Sequence, residues 1–177
     1  MPAEHDFTDE ELQFLGYEWE IWARTSQLPP AGDWTIWLVM AGRGNGKTRT
    51  GAEWVRSLIE AETHGRIALV GATKDDVRKV MIEGESGILA VSPPWNRPLY
   101  EPSKRQLTWP NGAIASIYSA EEPERLRGPQ HDAGWADEVA AWTRKETWDQ
   151  LMFGMRLGQR PRVIATTTPK PIQQIGR

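Results

Sequence analysis

Apolar side chains recur at helical intervals over residues 8–24, where Leu12, Leu15, Trp19 and Trp22 fall on one side. Thr8-Asp9-Glu10-Glu11 stands in front of them with the form of a capping box, in which a threonine and the glutamate three residues on satisfy each other's free backbone N–H groups. The pattern predicts one amphipathic helix. Pro29-Pro30-Ala31-Gly32-Asp33 then forbids regular structure, and the unbroken apolar run Ile36-Trp37-Leu38-Val39-Met40 predicts a strand buried on both faces. A helix follows from Lys47 to about Thr63, with Ala52, Val55, Leu58 and Ile59 inward and Gly65 placed to end it. Ile67-Ala68-Leu69-Val70 predicts a second buried strand.

Residues 74–90 predict a helix with Val77, Val80 and Met81 inward, loosening through Gly84 and Gly87 before the linker Ser92-Pro93-Pro94. The runs 104–109 and 113–119 flank Pro110-Asn111-Gly112 and predict a β-hairpin, because Asn-Gly readily takes the positive φ angles of a tight turn. Residues 121–130 are charged and loop-like, and 131–137 form a weakly patterned strand. Thr143 with Glu146 predicts a capped helix carrying Trp148, Leu151, Met152 and Met155, and 163–167 predict a last strand. Strands and helices alternate. That alternation, with strands apolar on both faces, predicts an α/β fold whose mostly parallel central sheet is flanked by helices, with the β-hairpin added to it.

Composition narrows the picture a little. A chain of 177 residues, 39% hydrophobic and 25% charged, is of ordinary globular make-up, and no apolar run approaches the roughly 20 residues that span a bilayer. The absence of cysteine excludes a disulfide scaffold, and the acidic, polar N-terminus lacks the form of a secretory signal, so a cytoplasmic location is expected. Charge is uneven: residues 1–40 carry a net −7 and residues 41–177 a net +4. The basic excess permits contact with a polyanion but falls short of the footprint of a dedicated DNA-binding domain. Ten tryptophans read as large apolar anchors whose indole N–H groups find partners.

The informative segment is Ala41-Gly42-Arg43-Gly44-Asn45-Gly46-Lys47-Thr48, between a predicted strand and a predicted helix. It has the form of a P-loop, with alanine replacing the first glycine of the usual pattern. A phosphate chain needs backbone N–H groups turned inward around it, which Gly42, Gly44 and Gly46 allow, and the following helix adds its positive end. Lys47 is then placed to reach the β- and γ-phosphates, the Thr48 hydroxyl to bind Mg²⁺, and Arg43 to face the γ-phosphate. Asp137-Glu138 ends a predicted strand, so two carboxylates would emerge beside the loop, Asp137 suited to the metal and Glu138 to a water. Arg125 and Arg127, in the loop before that strand, are positioned for phosphate in the same subunit or a neighbour. Thr166, Thr167 and Thr168 bring hydroxyls to the end of the last strand, placed to sense the γ-phosphate or its water.

Trp22-Ala23-Arg24, Gln27-Leu28-Pro29-Pro30, AGRGNGKTRTGAEWVR, LRGPQHDAGWADEVAAW and TTTPKP, in that order, resemble the large terminase subunit of tailed bacteriophages and gene-transfer particles, over about residues 19–171. The resemblance implies a P-loop NTPase of the ASCE/RecA-like class, an ATPase motor that drives double-stranded DNA through the portal protein into a procapsid. It implies ATP and Mg²⁺ as cofactors, the small terminase subunit as a further partner, a homo-oligomeric ring, no membrane, and the bacterial host's cytoplasm. By it, Lys47 and Thr48 are the Walker A pair, with Asn45 and Arg49 also near nucleotide. Asp137 is the Walker B aspartate and Glu138 the catalytic glutamate. Arg43 is the arginine within the loop, Gln27 the adenine-recognising glutamine, Arg127 or Arg125 a finger for the next subunit's nucleotide, and Thr166–Thr168 the coupling motif. Residues 1–34 would be an N-terminal helix and adenine-side segment, and 35–177 an ATPase core without a nuclease domain, shortened at its C-terminal side. A helicase-like ATPase and an ATP-binding module without turnover are the alternatives.

Overall fold

Side chains alternate between the two faces of a strand, so a sheet apolar on both faces must be covered twice. The computed structural model describes residues 7–169. Its strands are β1 (Ile36–Met40), β2 (Arg66–Gly71), β3 (Leu99–Glu101), β4 (Gln106–Thr108), β5 (Ile114–Ser119), β6 (Ala133–Ala136) and β7 (Arg162–Thr167). They form one sheet in the order β1-β7-β6-β2-β5-β4-β3, parallel from β1 to β5 and antiparallel at β4 and β3. The helices are α1 (Asp9–Gly16), α2 (Trp19–Trp22), α3 (Lys47–Glu60), α4 (Lys74–Asp76), α5 (Ile88–Val91) and α6 (Glu146–Gly154). On one face Ile67, Leu69, Ile117, Trp135 and Ile164 pack with α3, α5 and a π-helical stretch, Val77–Ile82. On the other, Val70, Tyr118, Ala136 and Val163 pack with Leu126 and with Leu151 of α6.

The strand order decides what meets what. β1 and β6 are not neighbours, because β7 lies between them. Their C-terminal ends share one edge of the sheet, as do those of β2 and β7, and in open parallel sheets this is the edge where ligands bind.

Several expectations need correction. The helix foreseen over 8–24 is two pieces, α1 and α2; the capping box at Thr8 forms, but neither piece has a fully buried residue, and Leu12 and Trp22 are 52% and 63% exposed. β1 is not buried on both faces: Trp37 is buried, yet Ile36, Leu38 and Met40 are 45–57% exposed, because β1 is the edge strand and α6 does not extend over it. α3 ends at Glu60, and Glu62, not Gly65, takes the left-handed conformation after it. The helix foreseen from residue 74 becomes the short α4 and the π-helical stretch; Val77 and Met81 point inward, while Val80 is exposed. Thr143 does not cap α6, whose N-cap is Lys145 without a side-chain bond. The hairpin forms as expected between β4 and β5, and β3 adds a strand that the sequence pattern did not signal.

α3 is buried through most of its first half, and two features allow this. Glu53, fully enclosed, pairs with Arg49 (2.7 Å) and Arg56 (3.1 Å), and burial pushes its carboxyl above the usual carboxylate range. Arg56 also donates to the carbonyls of Val91 (3.2 Å) and Tyr17, tying the N-terminal segment to the core. Gly51 lets the helix lie directly on Trp135: a Cβ there would stand 2.2 Å from the indole ring. We predict that Gly51→Ala destabilises the fold by at least about 2 kcal/mol, since the contact is with a rigid, enclosed ring. Urea unfolding measures this, and a loss below about 0.5 kcal/mol would show that α3 and Trp135 are not in such contact.

Candidate active site

The loop between β1 and α3 turns on Gly44 and Gly46, at φ 76° and 74°, a conformation that side-chain-bearing residues resist. Gly46 is the N-cap of α3, so the helix opens directly into the loop. Lys47 is buried, and its Nζ donates to the carbonyls of Ala41 (2.9 Å) and Gly42 (3.1 Å) and stands 3.7 Å from Glu138 Oε1. The ammonium group is thus held inside the curl of its own loop. Two adjoining clefts open here. One, of about 500 Å³, is lined by Arg43, Thr48, Asp76, Asp137, Glu138 and Thr168 among others. The second, of about 410 Å³, is lined by Gly44, Asn45, Gly46, Lys47, Arg49 and Lys79 among others, with Thr48, Val80 and Glu138 shared. Arg43 is exposed at the rim.

The acids stand beside the loop, as expected, with Glu138 Oε1 3.7 Å from Lys47 Nζ, although β7 lies between their strand and β1. Each threonine at the end of β7 serves a different group. Thr166 Oγ1 donates to Asp137 Oδ1 (2.6 Å), Thr167 Oγ1 accepts from the Ala140 N–H (3.2 Å), and Thr168 donates to Glu138 through both its hydroxyl (2.9 Å) and its N–H (3.0 Å). Glu138 sits at φ 49°, a left-handed conformation that costs a residue with a side chain on the order of 1–2 kcal/mol. The Thr168 bonds and the Glu138 carbonyl's bond from Ala141 N–H (2.8 Å) hold it there. Such a conformation re-aims the carboxylate toward Lys47.

Burial pushes the Asp137 carboxyl up to about 6; the Thr166 hydrogen bond opposes this, the Glu138 charge adds to it, Lys47 opposes it and Asp76 adds again. Thr48 and Asp137 together supply oxygen donors of the kind Mg²⁺ takes. Among the described residues no three His, Cys, Asp or Glu side chains cluster closely enough to hold a metal by themselves. A cation here would therefore draw most of its ligands from phosphate and water, as Mg²⁺ does.

The remaining expected residues divide. Gln27 is buried but is absent from both clefts: its Nε2 donates to Thr50 Oγ1 (3.2 Å) and the Gly46 carbonyl (3.5 Å), and its Oε1 accepts from the Arg24 N–H (3.2 Å). Beside it, Arg24 donates to the Asn45 carbonyl (2.6 Å), so both side chains brace the loop from outside. Arg49 pairs with Glu53 and lies over the Trp19 ring at 5.1 Å. Arg125 and Arg127 line neither cleft; Arg127 lines a different cavity with Arg156, on the α6 side. Sequence reasoning missed Asp76, Lys79 and Val80, which wall the clefts from the segment after β2. The cap signal Thr73-x-x-Asp76 at the end of a buried strand marked that segment, and Thr73 does cap there.

Residues 38–175 match the family model described as terminase large subunit, T4likevirus-type, N-terminal. The chain belongs to that family. Among solved structures, the large-terminase ATPase domain of Thermus phage P74-26 is similar at a TM-score of 0.62 and 16% identity, over 92% of this chain and 70% of that one. The large terminase of the thermophilic bacteriophage D6E, in complex with ATP-gamma-S, is similar at 0.60 and 14% identity, over 92% of this chain and 38% of that one. At these identities the likeness shows the fold, that of the large-terminase ATPase domains, and this terminase chain spans well under half of the D6E protein. Among curated proteins there is no match.

The raised Asp137 pKa has a direct consequence for stability. The folded chain keeps the proton up to about pH 6 while the unfolded chain releases it near its ordinary 3.8, so this group's contribution to stability is greatest at low pH and falls as pH rises from about 4 to about 6. Asp137→Asn removes a charge that burial disfavours. We predict that it stabilises the ligand-free chain at pH 7 by on the order of 2 kcal/mol and has little effect at pH 4. Denaturant unfolding at both pH values checks this, and equal effects at the two would refute it.

Proposed function

We propose that this chain binds ATP with Mg²⁺ and hydrolyses it, as the motor part of a large terminase that moves double-stranded DNA through a portal protein into a procapsid. The observation that carries the reading is the convergence of Lys47, Thr48, Asp137 and Glu138 on one pair of clefts at the C-terminal edge of the parallel strands. The D6E relative's complex with ATP-gamma-S supports a nucleotide in a fold of this kind.

In this reading the glycine loop and the N-terminus of α3 receive the phosphates, and Lys47 exchanges its hold on the Ala41 and Gly42 carbonyls for phosphate oxygens. Thr48 and Asp137 would hold the metal, which would supply positive charge to offset that of the phosphates. Glu138 orients the attacking water and takes its proton. Arg43, at the mouth of the cleft, stabilises charge that builds on the γ-phosphate. Thr166–Thr168 contact both acids, which suits a coupling role, since any change in the acids on turnover is felt by β7. Gln27 acts here by bracing the loop on the side where adenine would lie. Arg127 or Arg125 acts on the nucleotide of the next copy in a homo-oligomeric ring, with the small terminase subunit as a further partner in the bacterial cytoplasm.

Phosphate release by the purified chain, with and without DNA, tests the reading. We expect Lys47→Ala to abolish turnover. Glu138→Gln should lower it by at least about 100-fold, the usual worth of a general base, with ATP-gamma-S binding retained. Unchanged turnover in Glu138→Gln would remove the glutamate from its role, and binding without any release by the unmutated chain would favour a binding module.

A further inference from the structure

Trp135 is fully buried in β6, two residues before Asp137, and it touches both halves of the candidate site. Its ring lies flush against Gly51 of α3, the helix that carries Lys47 and Thr48 at its start. Its indole N–H donates to Thr166 Oγ1 at 3.2 Å, and Thr166 in turn donates to Asp137 Oδ1 at 2.6 Å. Thr166 is also fully buried.

The direction of this chain is fixed by valence. An indole N–H only donates, so Thr166 Oγ1 must accept from it. The hydroxyl's single hydrogen is then free for Asp137 Oδ1 at 2.6 Å or the Ala136 carbonyl at 3.4 Å, and the shorter, charge-assisted bond prevails. The indole donor occupies a lone pair of Oγ1 and so fixes the rotation of the hydroxyl about its C–O bond; without it the hydroxyl's direction is held by the Asp137 bond alone. By contrast Trp109, also buried, has an indole N–H with no hydrogen-bond partner among the described residues.

We propose that Trp135 is the positioning residue of the metal–nucleotide site: through Thr166 it aims the Asp137 carboxylate, and through Gly51 it sets the distance between that carboxylate and the helix bearing Thr48. The inference rests on the nucleotide reading above and goes beyond it, since Trp135 itself reaches neither cleft. Its signature is a selective loss of the metal's contribution to binding, because phosphate contacts from the loop amides and Lys47 do not pass through the indole.

The test is calorimetric titration of the whole chain with ATP-gamma-S, in Mg²⁺ and in EDTA, for the unmutated protein, Trp135→Phe, Trp109→Phe and Thr166→Val. We expect Trp135→Phe to reduce the Mg²⁺-dependent gain in affinity by about tenfold, as loss of a group that orients a metal ligand commonly does. Affinity in EDTA should stay within about twofold, where a merely structural role would weaken both. Thr166→Val should reproduce the loss, and the double variant should be no worse than either single one, because both interrupt one chain of bonds. If Trp135→Phe fails to fold, Thr166→Val decides: an unchanged Mg²⁺-dependent gain there overturns the proposal. So does an equal loss in Trp109→Phe. Binding that keeps its full Mg²⁺ gain in Trp135→Phe overturns this inference alone, whereas no ATP-gamma-S binding by the unmutated chain overturns the nucleotide reading and this inference with it.

Discussion

A carboxylate almost wholly removed from water at the end of a central strand has to be met by donors, or it takes up a proton. In this large-terminase domain Asp137 is met by the hydroxyl of Thr166 on the adjacent strand. That bond requires β7 to lie directly beside the strand that ends in the acids, and β7 in turn carries the strand that ends in the phosphate loop on its other side. Strand order, threonine triplet and carboxylate placement are therefore one constraint. With β7 elsewhere, Asp137 would lose its donor and Glu138 its two bonds from Thr168.

Much of the candidate site's geometry was legible because it is local. The glycines, lysine and threonine of residues 41–48 specify a backbone turn and a helix start within eight residues, and the turn forms as their spacing requires. The Asp-Glu pair was legible as the end of a strand, and the hairpin from its Asn-Gly. What the sequence concealed is non-local. Five apolar residues in a row describe β1 equally well as a central strand or as an edge with one bare face, and only the neighbours decide. Likewise nothing in Thr166-Thr167-Thr168 says that three successive hydroxyl-bearing residues will serve Asp137, Ala140 and Glu138 in turn. Gln27 was expected only by resemblance, as an adenine-recognising residue, and its partners, Gly46 and Thr50, depend on how the N-terminal segment returns to α3.

The same distinction separates the two tryptophans that are most deeply buried. Both are anchors by composition. Trp109 fills space at the hairpin, whereas Trp135 carries a bond into the site because its neighbour on β7 is a threonine rather than another aliphatic residue. The close approach at Gly51 leaves no room for one added carbon, so the helix after the phosphate loop and the strand before the acids are in direct contact.

β1 hands the chain directly to the phosphate loop, and among the described residues it is hydrogen-bonded along one side only, to β7. Its outer flank offers a free row of peptide groups, with Ile36, Leu38 and Met40 bare beside it. The strand that leads into the lysine cradle is thus paired on the side of the threonines and, among the described residues, unpaired on the other. A further strand laid along that flank would add backbone hydrogen bonds to β1, one residue before the phosphate loop begins.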